Sequence, residues 1–264
     1  MKRLFAALAV VMMMAAGLPA FSAQFDWQKL VNAGQKVLGA ATLTDEQMAA
    51  YVQQSVEYMD KQNVVAPESD PYTQRLRRLT AGLTDADGIP LNFKVYKTSD
   101  INAFACPDGS VRVYSGIMDL MTDDQLLGVI GHEIGHVAKR HSKKALKQEL
   151  LAGAVLDGVS SAGARAQALT ESNLSKLSTA FVGARFSQKQ EKEADDYGYE
   201  FLKAHGRNPW SIVMSFERLQ EVEGQSAASA SYFQKMFSSH PDTKERIKRL
   251  TKRARRDGIP RPVM

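Results

Sequence analysis

The sequence predicts a mainly helical α+β domain with a small β-sheet. The helical period stops after residue 83, and three short segments separated by turn residues follow, which is typical of strands. They cover residues 91–97, 101–106 and 110–116. Almost the whole chain after Gly116 carries apolar residues at helical spacing instead. Short strands inserted among long helices indicate an α+β fold.

Two capping boxes mark the starts of predicted helices. T-D-E-Q at residues 44–47 opens a helix that we expect to reach Lys61. T-D-D-Q at residues 122–125 opens another, with apolar residues at helical spacing to about Lys144. The other predicted helices cover residues 71–83, 145–160, 163–182, 187–205, 209–222 and 241–256. No linker divides residues 24–264, so we expect one domain that ends in a basic C-terminal helix and tail.

The first 23 residues have the layout of a secretory signal peptide. A basic start at residues 1–3 is followed by an apolar run over residues 4–16. A transmembrane helix needs about 20 apolar residues, and this run is shorter. We expect cleavage after Ala23, with Ala20 as the alternative, and export of residues 24–264 to the periplasm. The cysteine that a bacterial lipoprotein carries at its cleavage point is missing.

Composition narrows the possible classes of function. Hydrophobic residues make up 44% and charged residues 24% of the 264 residues, which is ordinary for a globular protein. The single cysteine, Cys106, excludes an intramolecular disulfide and is expected to be a small packed residue. Nucleic acid is not an expected partner, because the sequence has no recognisable binding motif.

The net charge of +5 is unevenly distributed along the chain. Residues 244–264 include nine Lys or Arg residues and two Asp or Glu residues. The simpler interpretation is a solvated face of a terminal helix. Peripheral contact of this basic C-terminus with an anionic membrane surface is the alternative.

Three of the five histidines lie within residues 132–141, and two of them form the pattern H-E-x-x-H with a glutamate. Because four residues are slightly more than one helical turn, His132 and His136 project from the same face and can hold one ion. Glu133 lies about 100° further round, where it can reach a water beside the ion without taking a coordination position. Two neutral imidazoles suit zinc, and a catalytic zinc site leaves one position open. The pattern therefore predicts a catalytic zinc site on this helix.

A third ligand is needed, and the sequence excludes one source of it. A metzincin would carry a glycine and a histidine at the positions of Lys139 and Ser142. Glu191 and Asp195, four residues apart on the predicted helix 187–205, are the candidates instead. This spacing lets Glu191 bind zinc while Asp195 accepts a hydrogen bond from a ligating imidazole.

Three charged or titratable neighbours are expected to lie outside the site. His141 is five residues past His136, about 140° round the predicted helix, so it should point elsewhere and lie at the surface. Glu193 and Asp196 should face solvent.

The sequence resembles the gluzincin metallopeptidases that include the CAAX prenyl proteases, HtpX and Oma. The resemblance is carried by residues 102–141, which begin NAFACPDGSVRVYSG and end in HEIGHVAKRH, by FSQKQEKEADDYG at 186–198 and by SSHPDTKERI at 238–247. Over roughly residues 44–255 the chain is most similar to the periplasmic LoiP- and BepA-like members. The resemblance implies a zincin-like catalytic domain with a small β-sheet beside the active-site helix.

The resemblance also implies a role for each matching residue. The residues that match the family's ligands for a single zinc ion are His132, His136 and Glu191. Glu133 matches the general base. Asp195 and Arg246 would support the ligands from outside the metal site.

His240 matches the family's His-Pro histidine, and two roles compete for it. It could donate a hydrogen bond to the oxyanion of the tetrahedral intermediate. It could instead occupy the open zinc position and hold a resting enzyme latent. A surface histidine that caps the helix before Pro241 is the third alternative.

Asn102, Ala103 and Phe104 match the edge strand on which these peptidases bind extended substrates through main-chain hydrogen bonds. A simply buried sheet is the alternative. The resemblance implies a zinc endopeptidase that acts on unfolded or misfolded envelope proteins in quality control, with outer-membrane proteins as candidate substrates. The alternative function is a non-proteolytic, zinc-containing chaperone for such proteins.

Overall fold

The computed structural model describes residues 45–151, 169–223, 240 and 243–262. All of them belong to one compact unit, Gln35–Met264. The predicted signal peptide, residues 1–23, lies outside the described residues, as do parts of the predicted helices 145–160 and 163–182.

Helices make up most of the described structure, as the predicted mainly helical α+β class requires. The described helices are α1 (Asp45–Gln62), α2 (Pro71–Leu79), α3 (Ser115–Leu120), α4 (Asp123–Ala138), α5 (His141–Leu151), α6 (Glu171–Val182), α7 (Gln188–Ala204), α8 (Trp210–Glu223) and α9 (Thr243–Arg256). The described strands are β1 (Asp85–Ala86), β2 (Ile89–Pro90), β3 (Asn92–Tyr96), β4 (Ala103–Ala105) and β5 (Ser110–Tyr114). Within this described part, no helix is both long enough and apolar enough to span a bilayer.

The three predicted strands form one sheet in the order β3-β5-β4. The central strand, β5, is parallel to β3 and antiparallel to β4. The edge strand β4 packs beside α4. A separate hairpin, β1–β2, was not predicted, although its turn carries an Asp-Gly pair. Asp87 and Gly88 have φ of 52° and 81°, the conformation that Asp-Gly favours in tight hairpins.

The third predicted strand is two residues too long, because β5 ends at Tyr114 and α3 begins at Ser115. The Ser115 hydroxyl donates to the Thr98 carbonyl oxygen at 2.8 Å and accepts from the Thr98 N–H at 2.9 Å. A Cβ on Gly116 would lie only 2.4 Å from the carbonyl oxygen of Asp100. The chain therefore turns at Ser115, since it is held against the loop that follows β3.

The helix that carries H-E-x-x-H is also shorter than predicted. We expected it to reach about Lys144, but α4 ends at Ala138 and α5 begins at His141. Arg140, between them, has a φ of 56°, which is uncommon for a residue with a side chain. Its N–H donates to the Val137 carbonyl oxygen at 2.9 Å. The chain changes direction after α4. His141 therefore does not lie where it would if α4 continued as one helix.

The centre of the core is α4, in which every residue from Gln125 to Ala138 is buried. It packs against α7 and α8. A Cβ on Gly135 would lie 2.2 Å from the Ala194 carbonyl oxygen of α7, and one on Gly128 would lie 2.1 Å from the Ser211 carbonyl oxygen of α8. These distances exclude a side chain. The two glycines therefore let the helix backbones meet directly.

An aromatic cluster fills the core between the sheet, α1 and α6. The rings of Phe104 and Tyr114 meet edge to face at 6.2 Å, and Tyr96 lies 5.9 Å from Tyr114. Cys106 is fully buried in this cluster, and burial raises the pKa of its thiol well above the usual value. Cys106 is a packed residue, as expected, and its thiol stays protonated.

A buried ion pair joins α1 to the sheet. Arg112 of β5 is 1% exposed and donates to Asp60 of α1 through Nε at 2.8 Å and Nη2 at 3.1 Å. The Lys94 Nζ and the Tyr96 hydroxyl of β3 also donate to Asp60, each at 2.7 Å. Burial disfavours the ionised carboxylate, but these hydrogen bonds keep the pKa of Asp60 below its ordinary value. One carboxylate thus fixes the helix to two strands.

The Asp60→Ala substitution should lower the free energy of unfolding by about 3 kcal/mol, because it leaves the buried Arg112 charge without its partner. Urea denaturation of the purified protein measures this. The matched control is Asp45→Ala, which removes an exposed pair with Lys143 and should have a much smaller effect. Equal effects of the two substitutions would contradict a special role for the buried pair.

Candidate metal centre

The predicted ligand residues meet in a single cluster. One ligand atom from each of His132, His136, Glu191 and His240 lies within 4.8 Å of the others. The Nε2 atoms of His132 and His136 are 3.0 Å apart. Glu191 Oε1 lies 3.4 Å from the Nε2 of His136, and Glu191 Oε2 lies 3.6 Å from the Nε2 of His132. All four side chains are buried.

Both helices that supply the cluster begin at capping boxes. Thr122 Oγ1 accepts from the Gln125 N–H at 3.3 Å, while Gln125 Oε1 accepts from the Thr122 N–H at 3.0 Å. Ser187 and Gln190 make the same pair of bonds at the start of α7, at 3.3 Å and 3.0 Å. These reciprocal bonds fix where each helix starts, and hence which residues face the other helix.

Asp195 and Arg246 surround the cluster from outside. Asp195 Oδ1 lies 3.0 Å from the Nδ1 of His132, as the spacing on α7 predicted. Arg246 donates to both oxygens of Asp195, from Nη2 at 2.7 Å and from Nε at 3.0 Å, and its Nη1 lies 2.5 Å from Glu191 Oε2. The guanidinium also lies 4.1 Å from the centre of the Phe216 ring, which sequence reasoning missed. Arg246 therefore holds Glu191 and Asp195 of α7 in place.

His240 lies inside the cluster. Its Nδ1 is 3.1 Å from Glu191 Oε1 and 3.2 Å from the Nε2 of His132. Its Nε2 is 3.6 Å from Glu133 Oε1. Only 9% of the residue is exposed, so its position does not fit the alternative of a surface histidine.

Burial sets the protonation of the site. It lowers the pKa of His132, and it holds the pKa of His136 well below its ordinary value. Both imidazoles are therefore neutral at pH 7. Burial also disfavours the ionised carboxylates of Glu191 and Asp195, but nearby positive charges lower the pKa of both. Nearby positive charges do not offset the burial of Glu133, so burial raises the pKa of Glu133 to about 7. The cluster thus combines neutral nitrogens, an ionised carboxylate and a glutamate that can exchange a proton near neutral pH.

This donor set fits a divalent metal ion. Asp195 accepts a hydrogen bond from the Nδ1–H of His132, which leaves a lone pair on the Nε2 of His132. The Nε2 atoms of His132 and His136 are 3.0 Å apart, and two neutral imidazole nitrogens this close need a proton or a cation between them. Glu191 adds an anionic oxygen on the same side. Two imidazoles and a carboxylate are ligands that catalytic zinc sites use.

The prediction for His141 was wrong. His141 is fully buried, not at the surface, because the break at Arg140 brings its ring back against His136. Its Nδ1 is 3.1 Å from the Nδ1 of His136, and its Nε2 is 3.1 Å from Glu193 Oε2. Glu193 is partly exposed but bonded to His141 rather than freely solvated. No pattern in the sequence marked this contact, since it depends on the φ of one residue.

Asp196 and the basic C-terminal helix are also bonded to each other. Arg249 and Arg253 of α9 both pair with Asp196, and Arg253 also pairs with Glu200. Arg249 reaches Asp195 as well, at 3.0 Å. Asp196 is 39% exposed, so it faces solvent in part, as expected, but it is also bonded to two arginines. Part of the positive charge of α9 is neutralised by α7.

All three residues predicted to bind substrate are buried. Asn102, Ala103 and Phe104 are 3%, 1% and 5% exposed. In the antiparallel register with β5, Ala103 pairs with Val113, and the Tyr114 N–H donates to the Asn102 carbonyl oxygen. Because such bonds alternate along a strand, Ala103 directs its own N–H and C=O away from β5, towards the unpaired edge of the sheet. The residues that line a small cavity beside this edge include Ala103, Phe104, Glu133, Phe186 and His240.

Two histidines of an H-E-x-x-H helix and a glutamate of a second helix form the arrangement of a zincin-like metallopeptidase. The sequence profile of Peptidase family M48 matches residues 71–254, and the chain belongs to this family. It is a metalloendopeptidase, and its activity requires a metal ion.

Several characterised proteins are similar to this chain. Metalloprotease LoiP of Escherichia coli K12 is 39% identical over 235 residues, which are 89% of this chain and 91% of LoiP. Metalloprotease YcaL of the same organism is 38% identical over 229 residues, 86% of this chain and 88% of YcaL. The beta-barrel assembly-enhancing protease of E. coli K12 is 28% identical over 173 residues, 62% of this chain and 34% of that protein.

Proposed function

We propose that this protein is a zinc-dependent endopeptidase that hydrolyses unfolded or misfolded proteins of the cell envelope. The observation that carries the proposal is the convergence of His132, His136 and Glu191 beside the buried carboxyl group of Glu133. Membership of a metallopeptidase family supports the reaction. The identity of the metal, the residue roles and the class of substrate are the parts that we propose.

His132, His136 and Glu191 would hold one zinc ion per chain. Two neutral nitrogens and one carboxylate oxygen suit zinc better than calcium or magnesium, which prefer oxygen ligands. When bound, zinc acts as a Lewis acid that polarises a carbonyl group and lowers the pKa of water. Asp195 fixes the tautomer of His132 through the 3.0 Å contact at Nδ1. Arg246 in turn fixes Asp195 and Glu191.

Glu133 would act as the general base and then as the general acid. Its Oε1 is buried and has no hydrogen-bond partner among the described residues, so it can accept a proton. With a pKa near 7, Glu133 takes a proton from the water that attacks the scissile carbonyl carbon. When the carbon–nitrogen bond breaks, it passes this proton to the departing amine.

The edge of β4 would bind the substrate backbone. Ala103 directs one N–H and one C=O to the unpaired edge of the sheet, next to the cavity that Glu133 lines. Main-chain pairing selects for an extended segment and not for particular side chains. Unfolded or misfolded proteins offer such segments, whereas folded proteins do not. The buried side chain of Asn102 would shape the strand, whereas Phe104 also lines the cavity beside Glu133.

The proposed location and substrates draw on two further features. The layout of residues 1–23 supports export to the periplasm. One similar protein is named for enhancing the assembly of β-barrels, which supports outer-membrane proteins as candidate substrates in quality control. Peripheral membrane contact through α9 has less support than the sequence suggests, because Arg249 and Arg253 pair with α7.

Glu133→Gln should lower the rate of casein cleavage by the purified protein about 10²–10⁴-fold, because it removes the proton acceptor and keeps the side-chain shape. Zinc content, measured by mass spectrometry, should stay unchanged. Glu57→Gln, at an exposed position on α1, is the matched control and should cleave normally. Full activity in Glu133→Gln would rule out this mechanism. If the wild type prevents aggregation of unfolded casein without cleaving it, the chaperone alternative is favoured.

His240→Ala distinguishes the two roles that remain for His240. If His240 stabilises the oxyanion, the substitution should lower the casein cleavage rate about 10²-fold or more. If His240 closes the metal site in a resting state, the same substitution should raise the rate, because the position beside Glu191 is then open to substrate. An unchanged rate would exclude both roles.

A further inference from the structure

His136 has a second ring nitrogen that faces away from the metal cluster. Its Nε2 points to Glu191 and His132, whereas its Nδ1 lies 3.1 Å from the Nδ1 of His141. Phe186 stacks on the His136 ring, with a centroid distance of 3.9 Å and an interplanar angle of 30°. Packing by Phe186 limits the ring plane but does not decide which nitrogen carries the hydrogen.

The contact between the two histidines exists because α4 stops early. Arg140 adopts a φ of 56°, and the following residue returns towards the preceding turn of the helix. Positive φ in a residue with a side chain costs energy and is found where surrounding structure enforces it, often at functional sites. His141 is fully buried as a result, with one nitrogen towards His136 and the other towards Glu193.

The hydrogen positions on these rings can be assigned by starting from Glu193 and moving through His141 to His136. The Glu193 carboxylate only accepts, so the Nε2 of His141, 3.1 Å away, carries a hydrogen. A neutral His141 ring then has its lone pair on Nδ1, which can only accept. His136 must therefore donate from its Nδ1. The lone pair of His136 is left on Nε2, the nitrogen that faces Glu191 and His132.

We propose that His141 is a positioning residue, which fixes the tautomer and orientation of the metal ligand His136 through a relay that ends at Glu193. The proposal rests on the metal site proposed above. It gives His136 the kind of outer partner that Asp195 gives His132, although here a second imidazole stands between ligand and carboxylate. Helix α7 thus supplies one ligand, Glu191, and the carboxylates behind both histidines.

The test compares two replacements of His141 by their zinc affinity, measured by competition with a chromophoric chelator. His141→Phe keeps an aromatic ring beside Phe186 but removes the acceptor, and should weaken zinc binding about 10–100-fold. His141→Gln can accept from His136 through Oε1 and donate to Glu193 through Nε2, so it should recover most of that loss. Glu193→Ala, which frees His141 to adopt the other tautomer, should weaken binding by less than His141→Phe.

His205 provides the matched controls, since it is exposed at the end of α7 and its Nδ1 lies 2.8 Å from the Phe201 carbonyl oxygen of the same helix. His205→Phe and His205→Gln should bind zinc like the wild type. The melting temperature of the metal-free proteins, followed in parallel, separates loss of the metal site from loss of the fold. A lower melting temperature with unchanged zinc affinity would mean that His141 only packs the core.

Three outcomes would overturn the proposal. The first is equal zinc affinity in the wild type and His141→Phe. The second is a loss in His141→Gln as large as that in His141→Phe. The third applies if His141→Phe does not fold: Glu193→Ala is then the deciding variant, and a zinc affinity equal to that of the wild type would overturn the proposal. Absence of zinc binding in the wild-type protein would instead refute the proposed metal site itself, so the two failures are distinguishable.

Discussion

The direct backbone contact between α4 and α7 is the constraint on which the metal cluster depends. A Cβ on Gly135 would meet the Ala194 carbonyl oxygen at 2.2 Å, and one on Gly198 would meet the Gly131 carbonyl oxygen at 2.5 Å. Without side chains between them, the helices approach closely enough for Glu191 to lie 3.4 Å from the Nε2 of His136. Interhelical distances of 8–10 Å are ordinary when side chains intervene. The glycines of the H-E-x-x-H helix are therefore as necessary to the cluster as its histidines.

This close packing also buries the carboxyl groups of Asp195 and Glu133, and the two have different neighbours. Asp195 is fully buried, but Arg246 and His132 stabilise its negative charge. Glu133 is equally buried and has no comparable partner, so its pKa rises to about 7. One environment thus keeps one carboxylate ionised and leaves the other able to exchange protons. The difference between them comes from hydrogen bonds: the guanidinium groups of Arg246 and Arg249 both donate to Asp195, whereas Glu133 Oε1 has no donor among the described residues.

Features that depend on helical or strand periodicity could be predicted from the sequence, and features that depend on a single backbone angle could not. The spacing of His132 and His136, and that of Glu191 and Asp195, placed each pair on one face of a helix, as the structure shows. The position of His141 was predicted wrongly, because the φ of Arg140 breaks a helix that the apolar pattern continues. His240 is 49 residues from Glu191 in sequence, and only the family resemblance drew attention to it.

X-ray absorption at the zinc K edge of the purified, metal-loaded protein shows which atoms bind the ion. We expect one zinc ion per chain with imidazole nitrogen and carboxylate oxygen ligands, and with fewer imidazole ligands when His136 is replaced by Ala. Loss of the metal altogether in His136→Ala would agree equally well with a site on α4 and α7. A sulfur ligand, or a spectrum that His136→Ala leaves unchanged, would contradict it, because the ion would then be bound outside the cluster on α4 and α7.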